Sequence, residues 1–181
     1  MRVLKRTGEY EDVSFDKVLN RVKLLSNELL VDAYDVGQKV CSRIYDGVRT
    51  SELDELAAQI CSSMIVDNPD YGVLASRIII SNHHKNTSPS FSETIIILYN
   101  NEVDKEKCPL VSDHVYNLTI KNKEKLNSYI NYERDYKFDY FGFKTLERSY
   151  LYRVQDKIIE RPQHMFMRVS LGIHSDDLKK L

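Results

Sequence analysis

The chain has few of the residues and patterns that mark special classes of protein. Its 181 residues include no tryptophan, four prolines, six glycines and three cysteines. Such low glycine and proline content excludes a collagen-like or low-complexity chain. Mean hydropathy is -0.44, and no run approaches the about 18 apolar residues that a membrane-spanning helix needs. The N-terminus has no apolar signal segment, so we expect a cytoplasmic protein without membrane contact.

An excess of charge of one sign is also lacking. Lysine and arginine total 26, aspartate and glutamate total 27, and the formal net charge is -1. A broad basic field that holds nucleic acid is therefore not expected, and we predict no nucleic-acid partner.

The cysteines and histidines give no pattern of a metal or redox site. Cys41, Cys61 and Cys108 include no CxxC pair, which excludes a zinc ribbon or a thioredoxin-type site. We expect Cys41 and Cys61, which lie among apolar residues, in the core, and Cys108 nearer the surface. The five histidines lack metal-ligand spacing, so no metal ligand is predicted.

The periodicity predicts an α+β fold that is mainly helical. Residues 2–13 are typical of a β-hairpin with its turn at Thr7 and Gly8. Apolar residues at helical spacing then predict four helices, at about 15–25, 33–45, 51–67 and 71–84. Ser14, Asp70, and either Thr50 or Ser51 are the predicted N-caps.

A polar break at residues 86–90 is the predicted boundary between domains 1–86 and 87–181. Beyond it the pattern predicts helices at about 91–100, 111–121, 122–129 and 145–151, a hairpin over 152–159 around Gln155 and Asp156, and a helix from Pro162 to about Gly172. The aromatic stretch 132–143 is interpreted as packed core, because acidic residues interrupt it; a base-stacking surface is the alternative. Ser175 is typical of a further N-cap, which favours a piece of a longer chain.

The first hairpin carries the most distinctive local chemistry. Lys5 and Arg6 on its first strand, beside a helix that begins near Ser14, suit a polyphosphate. Neighbouring carboxylates such as Glu11 and Asp12 could hold Mg²⁺ or a ribose hydroxyl. The usual phosphate motifs, GxxxxGK[ST] and GxGxxG, are absent. By spacing alone, a solvated charged hairpin is the favoured interpretation, and no catalytic constellation is visible.

Several motifs in the first half resemble the ATP-cone, the allosteric nucleotide domain at the front of many ribonucleotide reductases. They are VLKRTG at residues 3–8, VSFDK at 13–17, GVRTSELDELAA at 47–58, DYGVLASRI at 70–78 and SNHHK at 81–85. In the second half, YFGFKTLERSYL at 140–151 and ERPQHMFMRVS at 160–170 resemble the block before the catalytic barrel in class I large subunits. The likeness is greatest to the eukaryotic and viral type, and it covers essentially the whole chain.

The resemblance implies an ATP-cone followed by a helical N-terminal region that stops before the catalytic α/β barrel. The parent enzyme would reduce ribonucleoside diphosphates to deoxyribonucleotides for DNA synthesis, with a small metal-containing subunit as radical source and a homo-oligomer of large subunits as partners. The three cysteines match none of the family's catalytic cysteines, so the piece alone is expected to be inactive. It would bind ATP as activator or dATP as inhibitor, with Mg²⁺, and hold no covalent cofactor.

The resemblance also implies the site residues. The predicted effector site comprises Lys5, Arg6, Glu11, Asp12, Val13, Ser14, Phe15, Asp16, Lys17, Thr50, Asp54 and Lys85. Lys5, Arg6 and Lys85 would lie at the phosphates, and Phe15 would pack beside the base. Asp54, on the same helix face as Thr50, would accept a ribose hydroxyl and so help to separate ATP from dATP.

Three other functions compete with this interpretation. A free-standing, non-catalytic nucleotide sensor or decoy remains the alternative. An ATP-cone transcriptional repressor is disfavoured, because such proteins place a zinc ribbon before the cone. A helical interaction module is disfavoured by the second block of motifs.

Overall fold

The computed structural model of the chain describes residues 1–174 and forms two compact units. The first comprises Met1–Asn86 and Phe138–Phe143, and the second comprises Thr87–Lys137 and the chain from Lys144 onward. Within the described residues the fold is helical with small sheets, which confirms the predicted α+β, mainly helical class. None of the helices in residues 1–174 is long and apolar enough to cross a membrane.

A three-stranded sheet opens the first unit. β1 (Arg2–Leu4) lies between β2 (Tyr10–Asp12) and β3 (Val48–Arg49). β2 runs antiparallel to β1 with Val3 opposite Glu11, and β3 runs parallel to β1 with Val3 opposite Val48. Gly8 turns the hairpin at φ 86°, a left-handed conformation that glycine adopts without steric cost.

Four helices complete this unit: α1 (Phe15–Leu25), α2 (Ala33–Cys41), α3 (Thr50–Ser63) and α4 (Asp70–Asn86). α3 and α4 pack closely, because their apolar faces meet at side chains such as Ile60, Cys61, Leu74 and Ile78, which are at most 3% exposed. β3 leads directly into α3, so the first turn of that helix begins beside β1.

The second unit is built from short helices and two hairpins. Its elements are α5 (Phe91–Tyr99), β4 (Glu102–Val103), β5 (Glu106–Lys107), α6 (Asp113–Lys121), α7 (Lys123–Tyr129), a 3₁₀ helix (Tyr132–Lys137), the part of α8 (Tyr140–Ser149) that follows Phe143, β6 (Arg153–Val154), β7 (Lys157–Ile158) and α9 (Pro162–His174). Side chains of α5, α6, α7 and α9 form its core, including Phe91, Ile95, Leu118, Leu126 and Leu171.

Several local predictions need correction. β3 and the hairpin β4–β5 were not predicted: β3 is too short to show a period, and the second turn uses Asp104 and Lys105 at positive φ without glycine. α2 ends at Cys41 instead of Tyr45, and α8 begins at Tyr140 instead of Thr145.

Ser14 is the N-cap of α1, as predicted, but the other two predicted N-caps change. Arg49 is the N-cap of α3, since its backbone is extended (φ −75°, ψ 143°) and the helix begins at the next residue; its N–H donates to the Glu52 carboxylate at 3.4 Å. Asn68 accepts the backbone N–H of Asp70, which already belongs to α4. The predicted helix start at Ser175 lies outside the described residues.

The two extreme cysteine environments make a simple test of the fold. Cys61 is fully buried, which raises the pKa of its thiol to about 12, whereas Cys108 is exposed. Because the thiolate is the reactive form, we expect iodoacetamide at pH 8 to modify Cys108 quickly and Cys61 only after unfolding. Mass spectrometry of the peptides measures both rates, and equal rates in the native protein would contradict this packing.

Candidate functional site

A cleft lies between the sheet and the helices of the first unit. Its cavity volume is about 210 Å³, and it opens to solvent. β1, β2, α1, α3 and α4 each contribute to its lining. The parallel pairing of β3 with β1 brings the first turn of α3 next to the hairpin, and so closes one side of the cleft.

One part of the lining is apolar. It consists of Val3, Val13, Val18, Val22, Leu53, Ala57 and Ile78. Val22 and Ile78 are 2% and 1% exposed and belong to the core. Such a surface accepts a flat, weakly polar ring by removing it from water.

The other part of the lining carries charge with a positive excess. Five cationic side chains face three carboxylates there: Lys5, Arg6, Lys17, Arg21 and Lys85 against Glu11, Asp12 and Asp54. A concave site with a surplus of cations attracts an anion that bears several charges.

Glu11 holds two of the lysines. Its carboxylate lies 2.5 Å from Lys5 Nζ and also pairs with Lys17. The Lys5 side chain is 40% exposed. Both amines are therefore kept at the mouth of the cleft, where an incoming anion can share them.

Asp54 forms the second charged cluster, inside the cleft. Its carboxylate, only 10% exposed, lies 3.3 Å from Arg6 Nη2 and 3.2 Å from Arg21 Nε. Arg6 also donates to Asn86, Asn82 and Thr50. Four of the five N–H groups of this guanidinium are therefore engaged by protein.

Lys85 lies at the end of α4 near these arginines. Burial lowers the pKa of its amine, and the charges of Arg21 and Arg6 lower it further, against the opposing effect of Asp54. An anion placed beside Lys85 would relieve this unfavourable environment, since it stabilises the charged form.

Two helix N-termini also face the cleft. Ser14 precedes α1 and Thr50 begins α3, and both line the cavity. Within residues 1–174, neither N-cap side chain, Ser14 nor Arg49, makes a capping hydrogen bond to its helix. The first-turn N–H groups and the helix dipoles are therefore suited to an anion.

The structure brings ten of the twelve predicted site residues to this cleft. They are Lys5, Arg6, Glu11, Asp12, Val13, Ser14, Lys17, Thr50, Asp54 and Lys85. Phe15 and Asp16 are not among the residues that line it. The Phe15 ring packs against Tyr34, with ring centroids 5.2 Å apart, beside Gly37 of α2. Asp16 is exposed and lies about 200° around α1 from Val18.

Other lining residues were missed by sequence reasoning. Arg21 is the chief one, because it engages the Asp54 carboxylate. It lies four residues after Lys17 and three after Val18, so the helical period of α1 could have indicated it. The remaining residues are apolar and look like ordinary core in the sequence.

Comparison with known proteins gives two family matches. The model of the ATP cone domain matches residues 1–86, and the model of the ribonucleotide reductase all-alpha domain matches residues 136–180. The cleft lies wholly inside the first match.

Curated relatives agree with both matches. The chain is 52% identical to a ribonucleoside-diphosphate reductase large subunit of Arabidopsis thaliana over 98% of its own length, and 50% identical to that of Dictyostelium discoideum over 99%. A Danio rerio large subunit is 45% identical over 98% of the chain. The chain spans 22% to 23% of the length of these relatives.

Proposed function

Because the chain belongs to the family of ribonucleoside-diphosphate reductase large subunits, we propose that the cleft binds ATP or dATP as an allosteric effector. The proposal rests on one observation. Within the residues that match the ATP cone domain, a single cleft combines an apolar surface with five cationic side chains and two helix N-termini. An adenine ring and a triphosphate require this pair of surfaces, one dry and one cationic.

Each part of the nucleotide has a matching part of the cleft. The base would lie on the apolar lining near Val13. The triphosphate would face Lys5, Lys17 and Lys85, which are close enough to the mouth to exchange water for phosphate. A ribose hydroxyl would reach the Asp54 carboxylate, one helical turn beyond Thr50.

Mg²⁺ would enter with the nucleotide. No group of three or more His, Cys, Asp or Glu that could hold a metal occurs in residues 1–174. Asp12 lines the cleft without an ion pair to any described residue. Mg²⁺ is commonly bound by phosphates, waters and one or two carboxylates. Asp12 would therefore supply one protein ligand to a Mg²⁺ ion that the phosphates also bind.

The larger role follows from the family. We propose that the parent protein reduces ribonucleoside diphosphates, with a small radical-generating subunit as its partner and a homo-oligomer of large subunits as its assembly. Residues 1–86 would be its regulatory domain and residues 87–181 the helical region before the barrel. ATP and dATP would control activity by stabilising different assembly states, which requires different affinities for those states.

Replacement of Lys5 by alanine tests the phosphate surface. We expect ATP binding by the 181-residue chain to weaken by about 1.5–3 kcal/mol, since a hydrogen bond to a charged group is lost. Adenosine binding should be unaffected, because it has no phosphates. Isothermal titration calorimetry measures both affinities.

The matched control is Lys39→Ala. Lys39 pairs with Asp35 at an exposed position of α2, and neither residue lines the cleft. Equal losses of ATP affinity in the two variants would contradict the assignment of Lys5 to the phosphates.

A further inference from the structure

We propose that Arg21 is a specificity-determining residue of the cleft, which orients the Asp54 carboxylate so that one oxygen is directed to a ribose hydroxyl. This inference rests on the proposed binding of ATP or dATP. Arg21 acts through Asp54 and is therefore a positioning residue.

Arg21 joins three helices at the base of the cleft. Its Nε donates to Asp54 Oδ1 at 3.2 Å, and its Nη2 donates to Asp54 Oδ2 at 3.4 Å. The same Nη2 donates to Ser81 Oγ at 2.8 Å. The guanidinium of α1 is therefore fixed by α3 and α4 together, and its side chain is only 20% exposed.

The donors are distributed unequally over the two carboxylate oxygens. Asp54 Oδ2 accepts from Arg21 and also from Arg6, at 3.3 Å. Oδ1 accepts from Arg21 alone among the described residues. An ionised carboxylate has about four acceptor positions, two on each oxygen. Oδ1 thus keeps one acceptor position, which suits a single hydroxyl donor from a ligand in the cleft.

Arg21 sets this asymmetry more than Arg6 does. Arg21 engages both oxygens as a two-pronged donor, whose fixed fork determines the rotation of the carboxylate. Arg6 reaches one oxygen only and is held mainly by Asn82, Asn86 and Thr50. Without Arg21 the carboxylate can rotate about its side-chain bond, and neither oxygen keeps a defined direction.

A fixed acceptor separates two ligands that differ by one hydroxyl. ATP has the 2′-hydroxyl and dATP lacks it, so dATP leaves the second acceptor position of Oδ1 unfilled in a cleft where the Asp54 side chain is only 10% exposed. A polar group that one ligand satisfies and the other leaves unsatisfied gives strong discrimination. If the Asp54 carboxylate loses its orientation, the binding of ATP should therefore weaken relative to that of dATP, and the phosphate contacts should stay intact.

The experiment is a calorimetric comparison of ATP and dATP on the 181-residue chain and three variants. Arg21→Gln removes the charge and the fork, Arg21→Lys keeps the charge and removes the fork, and Arg43→Gln is the control at an exposed position outside the cleft. The ratio of the dATP to the ATP dissociation constant should fall on the order of tenfold in both Arg21 variants. It should stay unchanged in Arg43→Gln.

Each other outcome overturns a defined claim. An unchanged ratio, equal weakening of both nucleotides, or restoration of the ratio by lysine would overturn the positioning role of Arg21 and leave nucleotide binding standing. Absence of binding by the folded native chain would overturn the proposed function itself. If Arg21→Gln does not fold, as judged by circular dichroism, Arg21→Lys decides between these outcomes.

Discussion

Replacement of Asp54 by asparagine should lower the free energy of opening of α3 and α4 by about 3 kcal/mol, because two partly buried guanidinium groups lose their shared counter-ion. The side chains of Arg6 and Arg21 are 29% and 20% exposed, so water cannot fully solvate either charge after the carboxylate is removed. We place the effect at the lower end of the range for broken buried pairs, since Asn82 and Ser81 continue to accept from these arginines.

Hydrogen exchange is the suitable measurement, because a chain with two units need not unfold in one step. The matched control is Asp35→Asn, which breaks the exposed pair with Lys39 and should have little effect, because water screens an exposed ion pair. Equal effects of the two substitutions on hydrogen exchange of the α3 amides would show that the Asp54 cluster does not stabilise the packing of α3 and α4.

Replacement of Glu160 by glutamine should destabilise the second unit by about 3–5 kcal/mol, the range for a buried ion pair that loses one partner. Glu160 is fully buried and accepts from Arg168 at 2.6 and 3.2 Å and from the backbone N–H of Tyr152 at 2.9 Å. Glutamine keeps the shape but removes the negative charge, which leaves the Arg168 guanidinium unbalanced over the Tyr152 ring.

Glu124→Gln is the control for this change, because Glu124 is exposed in α7 of the same unit. Exchange of the α9 amides should accelerate strongly in Glu160→Gln and stay unchanged in Glu124→Gln. The amides of α3 and α4 serve as an internal reference in the first unit. Similar exchange in the two variants would contradict a stabilising role for the buried carboxylate.

Much of the cleft could be predicted because its residues lie in continuous motifs. Lys5, Arg6 and Glu11 belong to one hairpin, and Ser14 and Lys17 open the next helix. Alternation along strands and the period of 3.6 along helices relate such neighbours in space without any tertiary information. The resemblance then supplied Thr50, Asp54 and Lys85, which local periodicity cannot connect to the hairpin.

The strand that brings α3 next to the hairpin is not predicted by the sequence pattern. β3 has two residues, too few for a period, and its pairing with β1 is a long-range event. That pairing carries Thr50 and Asp54 to Arg6. The ion cluster around Asp54 could therefore not be derived from spacing: the resemblance implies Asp54 as an acceptor for a ribose hydroxyl and says nothing of its arginine partners.

Phe15 shows a second limit of prediction from sequence: its place in the chain is predicted, but the direction of its side chain is not. It begins α1 next to the site, and its motif suggested a contact with the base. Tertiary packing determines its direction instead, because the ring packs edge-on against Tyr34 of α2. A residue at the edge of a helical stripe can turn to either neighbour, and the sequence gives no means of choosing.

The most direct test of the account is a calorimetric titration of the 181-residue chain with ATP and with dATP in the presence of Mg²⁺. Both nucleotides should bind saturably, and the double variant Lys5→Ala/Lys85→Ala should lose that binding while it keeps its circular dichroism. If the native chain is folded and neither nucleotide gives a binding signal, the cleft is not an effector site and the central claim is wrong.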